Sequence, residues 1–112
     1  MLGCALVPKQ EYAVQHVVFL WLKPDIAEGK KQEIVDGTNA LIEINEVKRV
    51  TIGRSVPSDR KIVDDSFDLG VLFEFETVEA MQNYSKDPLH KAFVEKSIKG
   101  NIEKMLVYDF EK

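Results

Sequence analysis

Cysteine is nearly absent from this chain: there is one, Cys4, in 112 residues, so no internal disulfide can staple the fold. The two histidines, His16 and His90, form no cluster with it at the spacing of a zinc site. Asp64, Asp65 and Asp68 are followed by neither the glycine nor the twelfth-position glutamate of a calcium loop. No metal and no cofactor is expected. A basic excess is missing too, with 15 Lys and Arg against 19 Asp and Glu and a net charge of −4, which excludes nucleic acid as the main partner because phosphate binding needs concentrated positive charge. Long apolar runs are also lacking. The longest, "AVQHVVFLWL", falls short of the ~20 residues of a spanning helix and is broken by Gln15 and His16, so no membrane span is expected.

What is present is the composition of one folded domain, 45% apolar and 30% charged. Residues 13–112 are read as that domain and 1–12 as a flexible N-terminal arm ending near Pro8. Leu2-Gly3-Cys4 has the form of a lipoprotein cleavage site without the basic and apolar regions that belong before it. A cytoplasmic protein is therefore expected, with lipid anchoring or export as the alternative if that stretch is the remnant of a longer signal.

From Ala13 to Lys23 nearly every residue is β-branched, aromatic or Leu, and Lys-Pro-Asp ends the run, which is a strand. Alternation puts Val14, His16, Val18, Leu20 and Leu22 on one side and Val17, Phe19 and Trp21 on the other. Ala27 to Ile44 reads as a helix with Ile34, Thr38, Leu41 and Ile42 inward. Val47 to Val56 reads as a second, more exposed strand, and 57–66 as a surface loop. Phe67 to Glu76 is the third strand, with Phe67, Leu69, Val71, Phe73 and Phe75 on one face and Leu72 among the polar residues of the other. Thr77 caps a short helix through Tyr84. Asp87 caps another with Pro88 at its first position, and Leu89, Phe93, Ile98 and Ile102 are its buried stripe. "MLVYDFE" closes the chain as a fourth strand.

The order β-α-β-β-α-β predicts an α+β, ferredoxin-like fold: an antiparallel sheet with both helices on one face. One layer of helices leaves the other face bare. Each large apolar side chain buried there is worth ~1.5–3 kcal/mol, so Val17, Phe19, Trp21 and Leu72 are expected to form the interface of a homodimer, pairing two sheets into a dimeric α+β barrel. Arg49 and Arg54 read as exposed strand charges that discourage edge-to-edge pairing.

"HVVFLWLKPDI", "FEFETVEAMQNYSKDPLHKAF" and "MLVYDFE" occur in that order, and the chain resembles the stress-responsive A/B barrel (Dabb) family from about Val14 to Glu111. The resemblance implies a ferredoxin-like protomer and a dimeric barrel. Plant polyketide cyclases of this fold close a ring by aldol chemistry without a cofactor, using a Tyr and a His; by motif position these are Tyr84 and His90. His16 matches a histidine lining the cyclase pocket. A further pocket histidine of the third strand stands as Leu69 here, so the polar lining lacks one member.

The pair suits that chemistry. Enolisation needs a base beside a carbonyl and a donor for the oxygen that becomes negative; an imidazole titrating near ~6.5 and a phenol near ~10 fill those roles at neutral pH. Tyr84 and His90 are the candidate catalytic residues, and His16, Leu69, Val18 and Phe93 the candidate ligand pocket. Each has a plainer reading: Tyr84 as a core residue, His90 as part of a helix start already explained by Asp87-Pro88, His16 as a buried histidine satisfied by backbone. Three functions follow. The least demanding is a dimer binding a small apolar or carbonyl-containing ligand without catalysis. The second is a cofactor-independent enzyme acting on a carbonyl compound, and the third, by fold analogy, is a dimeric-barrel monooxygenase.

Overall fold

The computed structural model describes residues 12–112. Leu2-Gly3-Cys4 and the arm as far as Glu11 lie outside the described residues. Strand β1 (Val14–Leu22) leads into helix α1 (Glu28–Ala40), which tightens into a 3₁₀ turn at Leu41–Glu43. Strands β2 (Arg49–Arg54) and β3 (Leu69–Phe75) follow, then helices α2 (Val78–Lys86) and α3 (Pro88–Phe93), a single π-helical turn (Val94–Ile98) and strand β4 (Ile102–Glu111). The sheet order is β2-β3-β1-β4 with every neighbouring pair antiparallel. This is the ferredoxin-like α+β plan. Among the described residues no helix is long and apolar enough to cross a membrane.

Pairing register fixes what shares a face. His16 stands between Phe73 and Asp109, Val18 between Val71 and Val107, Leu20 between Leu69 and Met105. That side carries the core: Val14, Val18, Leu20 and Leu22 of β1 and the alternate residues of β3 pack with Ile34, Leu41 and Tyr84 from the helical layer. On the opposite side Val17 stands between Leu72 and Tyr108, and Phe19 between Gly70 and Leu106. Among the described residues no helix covers this side. Tyr108 and Phe110 are 57% and 56% exposed there.

Three sequence expectations need correction. Phe67 does not open β3 on the core face; its ring lies on the other side, 4.9 Å from Phe19 and 6.3 Å from Trp21 between centroids. The cause is Asp68. Its backbone N–H donates to the Leu20 carbonyl at 2.9 Å and its carboxylate accepts from the Leu22 N–H at 2.7 Å, so the chain joins β1 before regular alternation begins at Leu69. As a result Phe19 and Trp21 are half-covered by their own chain, and the Trp21 indole N–H donates to the Ser66 hydroxyl at 3.0 Å. Ile102 is no part of a helical stripe: Gly100, at φ +83°, reverses the chain after the π turn and Ile102 starts β4 opposite Leu22. The same stripe's Leu89 is exposed. Ile42 also faces out, at 46% exposure, because the 3₁₀ turn at Leu41 changes the helical phase.

Candidate active site

The geometry of the site comes from the Asp87-Pro88 break. Helix α2 is started by Thr77, whose hydroxyl accepts from the Ala80 N–H at 3.0 Å, and its last turn carries Tyr84, buried among Phe73 and Phe75 at centroid distances of 5.3 and 5.1 Å. Asp87 leaves the helix with extended backbone (ψ 137°), donates its N–H to the Tyr84 carbonyl at 3.1 Å, and caps α3 by accepting from the Leu89 N–H at 2.8 Å. Proline at the first position removes an N–H that would have no helical partner. The redirected first turn brings the His90 ring back over Tyr84, centroids 4.5 Å apart. His16, projecting from β1, lies 6.2 Å from the Tyr84 ring.

These three side chains form the polar end of a cavity of about 230 Å³ between sheet and helices. Val18, Leu20, Phe93 and Ile98 line the rest, with Met105 and Val107 of the edge strand β4 at its border. Of the expected pocket residues, His16, Val18 and Phe93 stand on this cavity. Leu69 does not: it pairs with Leu20 but borders a separate groove with Lys31, Arg54 and Asp68.

Burial raises the Tyr84 phenol well above its ordinary range, so it stays protonated and can only donate to a developing anion. Burial also lowers His90 from its ordinary 6.5, with the neighbouring His16 acting in the same direction, while the Ser85 backbone and the Asp87 carboxylate oppose it. The imidazole is thus neutral at pH 7, the form that accepts a proton. Its Nδ1 is buried without a partner in hydrogen-bonding geometry. The Ser85 backbone is close enough to this ring to act on it.

One residue escaped sequence reasoning: Asp109, whose carboxylate Oδ1 lies 2.5 Å from His16 Nδ1. It holds the ring by one nitrogen and leaves Nε2 to face other partners. The signal was there in the β4 alternation, since Met105, Val107 and Asp109 share a face and antiparallel pairing brings that face to β1. Arg49 pairs with Glu74 at 3.5 Å, and the Lys104 ammonium sits 4.5 Å from the Trp21 ring centroid, so both have structural partners. Among the described residues no group of three His, Cys, Asp or Glu is placed to hold a metal ion.

Fold and site together define a ferredoxin-like α+β protein with a His and Tyr pair at one end of an apolar cavity. The stress responsive A/B barrel domain matches residues 14–112, and the chain belongs to that family. It is similar to olivetolic acid cyclase of Cannabis sativa, 30% identical over 99 residues that cover 88% of this chain and 95% of the cyclase. Hydroxynitrile lyase from Passiflora edulis superimposes with a TM-score of 0.78 at 22% identity, over 90% of this chain and 94% of the lyase. A dimeric ferredoxin-like protein of unknown function from Thermobifida fusca gives 0.73 at 15% identity, over 95% and 96% of the two chains. These two share the fold with this protein.

Proposed function

We propose that this protein is a cofactor-independent enzyme that abstracts a proton beside a carbonyl group, within a homodimer. The observation that carries the reading is His90, kept neutral by burial, held with its ring 4.5 Å from that of Tyr84, whose phenol burial keeps protonated, at the polar end of an apolar cavity. The neutral imidazole takes a proton from the carbon next to the carbonyl. The electron pair of that C–H bond moves into an enolate, whose negative oxygen accepts the Tyr84 hydroxyl hydrogen bond. In a substrate with a second carbonyl within reach, the enolate carbon can attack it and close a ring, the new alkoxide taking up the proton held by His90, the aldol course; otherwise a proton returns to the carbon and the net event is exchange. His16, fixed by Asp109, supplies a second polar wall. The similarity to a cyclase supports this choice over ligand binding alone.

The dimer is supported by the uncovered apolar face bearing Val17, Phe19, Trp21 and Leu72, and by the dimeric state described for the Thermobifida fusca neighbour. The chemistry is tested by exchange of the α-protons of linear 2-alkanones into heavy water, followed by NMR. The wild type should accelerate exchange, and His90→Ala should lower the rate about 100-fold or more with the dimer intact. An unchanged rate in His90→Ala would remove that residue from the mechanism.

A further inference from the structure

Glycine weakens a helix interior, yet Gly37 sits inside α1. The one described glycine at positive φ is Gly100, so backbone conformation does not call for a glycine at 37. Packing does. A Cβ at position 37 would stand 2.4 Å from Cε1 and 2.6 Å from Cδ1 of Phe93, far inside contact distance. The Phe93 ring reaches α1 only because residue 37 has no side chain.

That ring borders two spaces. On one side is the cavity holding Tyr84 and His90; on the other is an open groove of about 580 Å³ between α1 and α3, lined by Ala40, Leu89 and Ala92 together with the charged Glu33, Asp36 and Lys96. Leu41 is the other residue common to both linings.

We propose that Phe93, seated on Gly37, is the partition that sets how long an apolar chain the cavity accepts. The proposal rests on the reading of that cavity as the site for a carbonyl compound. With the carbonyl fixed at Tyr84 and His90, an apolar tail running along Val18 and Ile98 ends against the Phe93 ring. A methyl at 37 drives the ring off α1 and into the cavity, and so shortens the acceptable tail. Removing the ring opens the cavity onto the groove and lengthens it. Gly37 and Phe93 are therefore specificity-determining residues with opposite effects.

Two measurements separate this inference from the catalytic reading. Xenon, which occupies apolar cavities, reports cavity size without any chemistry; its binding is followed through amide shifts of Val18 and Ile98. Gly37→Ala should weaken xenon binding several-fold, and Phe93→Ala should strengthen it or add a second occupied position. In parallel, a homologous series of 2-alkanones gives the longest tail that undergoes exchange, which should fall in Gly37→Ala and rise in Phe93→Ala. If Phe93→Ala does not fold, Phe93→Leu is used and should shift both readouts the same way by less. Xenon affinity unaltered in both variants, or altered in the same sense by both, overturns the partition. Xenon responses of opposite sign without exchange of any 2-alkanone would uphold the partition and reject the catalytic reading.

Discussion

At the scale of single residues, the site depends on His90 remaining uncharged, and that has a thermodynamic signature. Burial lowers its affinity for protons below the ordinary 6.5, against the smaller opposing pull of Asp87 and the Ser85 backbone. The unfolded chain therefore takes up a proton at this ring before the folded chain does, and stability rises with pH wherever the unfolded state binds more protons. The neutral ring's contribution is complete above about pH 6.5 and is lost as pH falls through the lower folded value. The wild-type Tm should drop more steeply between pH 6.5 and 5 than that of His90→Gln, which has no ring to titrate; parallel curves would show that the pocket does not select the neutral form. The chemistry-bearing residue types were legible in the sequence: Tyr84 and His90 as motif residues, His16 from its strand face. Asp109 was not, because a lone exposed-looking Asp in a terminal strand acquires meaning only from its register opposite His16.

At the scale of elements, the break between α2 and α3 does two jobs through one side chain. Asp87 caps α3 through the Leu89 N–H and, by leaving the helix with extended backbone, sets the angle at which His90 returns to Tyr84. Asp87→Ala should cost about 1 kcal/mol of stability, as N-cap losses do, and should also slow proton exchange by displacing the imidazole. Asp87→Asn or Asp87→Ser, which cap almost as well, should restore both; recovery of stability without recovery of exchange would mean that the Asp87 charge itself acts on the ring. Caps and helix starts were readable because they are local. Phe67 and Ile102 were misplaced because their positions are set by contacts remote in sequence: Asp68 binding the backbone of Leu20 and Leu22 in one case, reversal of the chain at Gly100 in the other. Strict alternation and helical spacing carry no record of either.

For the molecule as a whole, the two-faced β1 strand announced a sheet with one uncovered side, and among the described residues the helical layer packs on the Val14, Val18 and Leu20 side alone. The Phe67 ring shields part of Phe19 and Trp21 within one copy, so the exposed weight of that face shifts toward β4, where Tyr108 and Phe110 remain more than half exposed. This decides which substitution tests the dimer cleanly. Phe19→Glu would disturb packing inside one copy as well as any interface, whereas Tyr108 is open in the single chain and sits beside Phe19 with centroids 6.4 Å apart. Tyr108→Glu should therefore leave the protomer's fold and helix content unchanged. In a two-fold interface each substitution acts twice. At ~1.5–3 kcal/mol for each large side chain no longer buried, dimerisation should weaken by about 3–6 kcal/mol, roughly a 140- to 20,000-fold rise in Kd. Sedimentation velocity at micromolar concentration should show a wild-type dimer and a monomeric Tyr108→Glu. A monomeric wild type, or a variant that associates as tightly as the wild type, would mean that this face meets something other than its own copy. The cavity, built on the opposite side of the sheet, should still bind xenon in the Tyr108→Glu monomer.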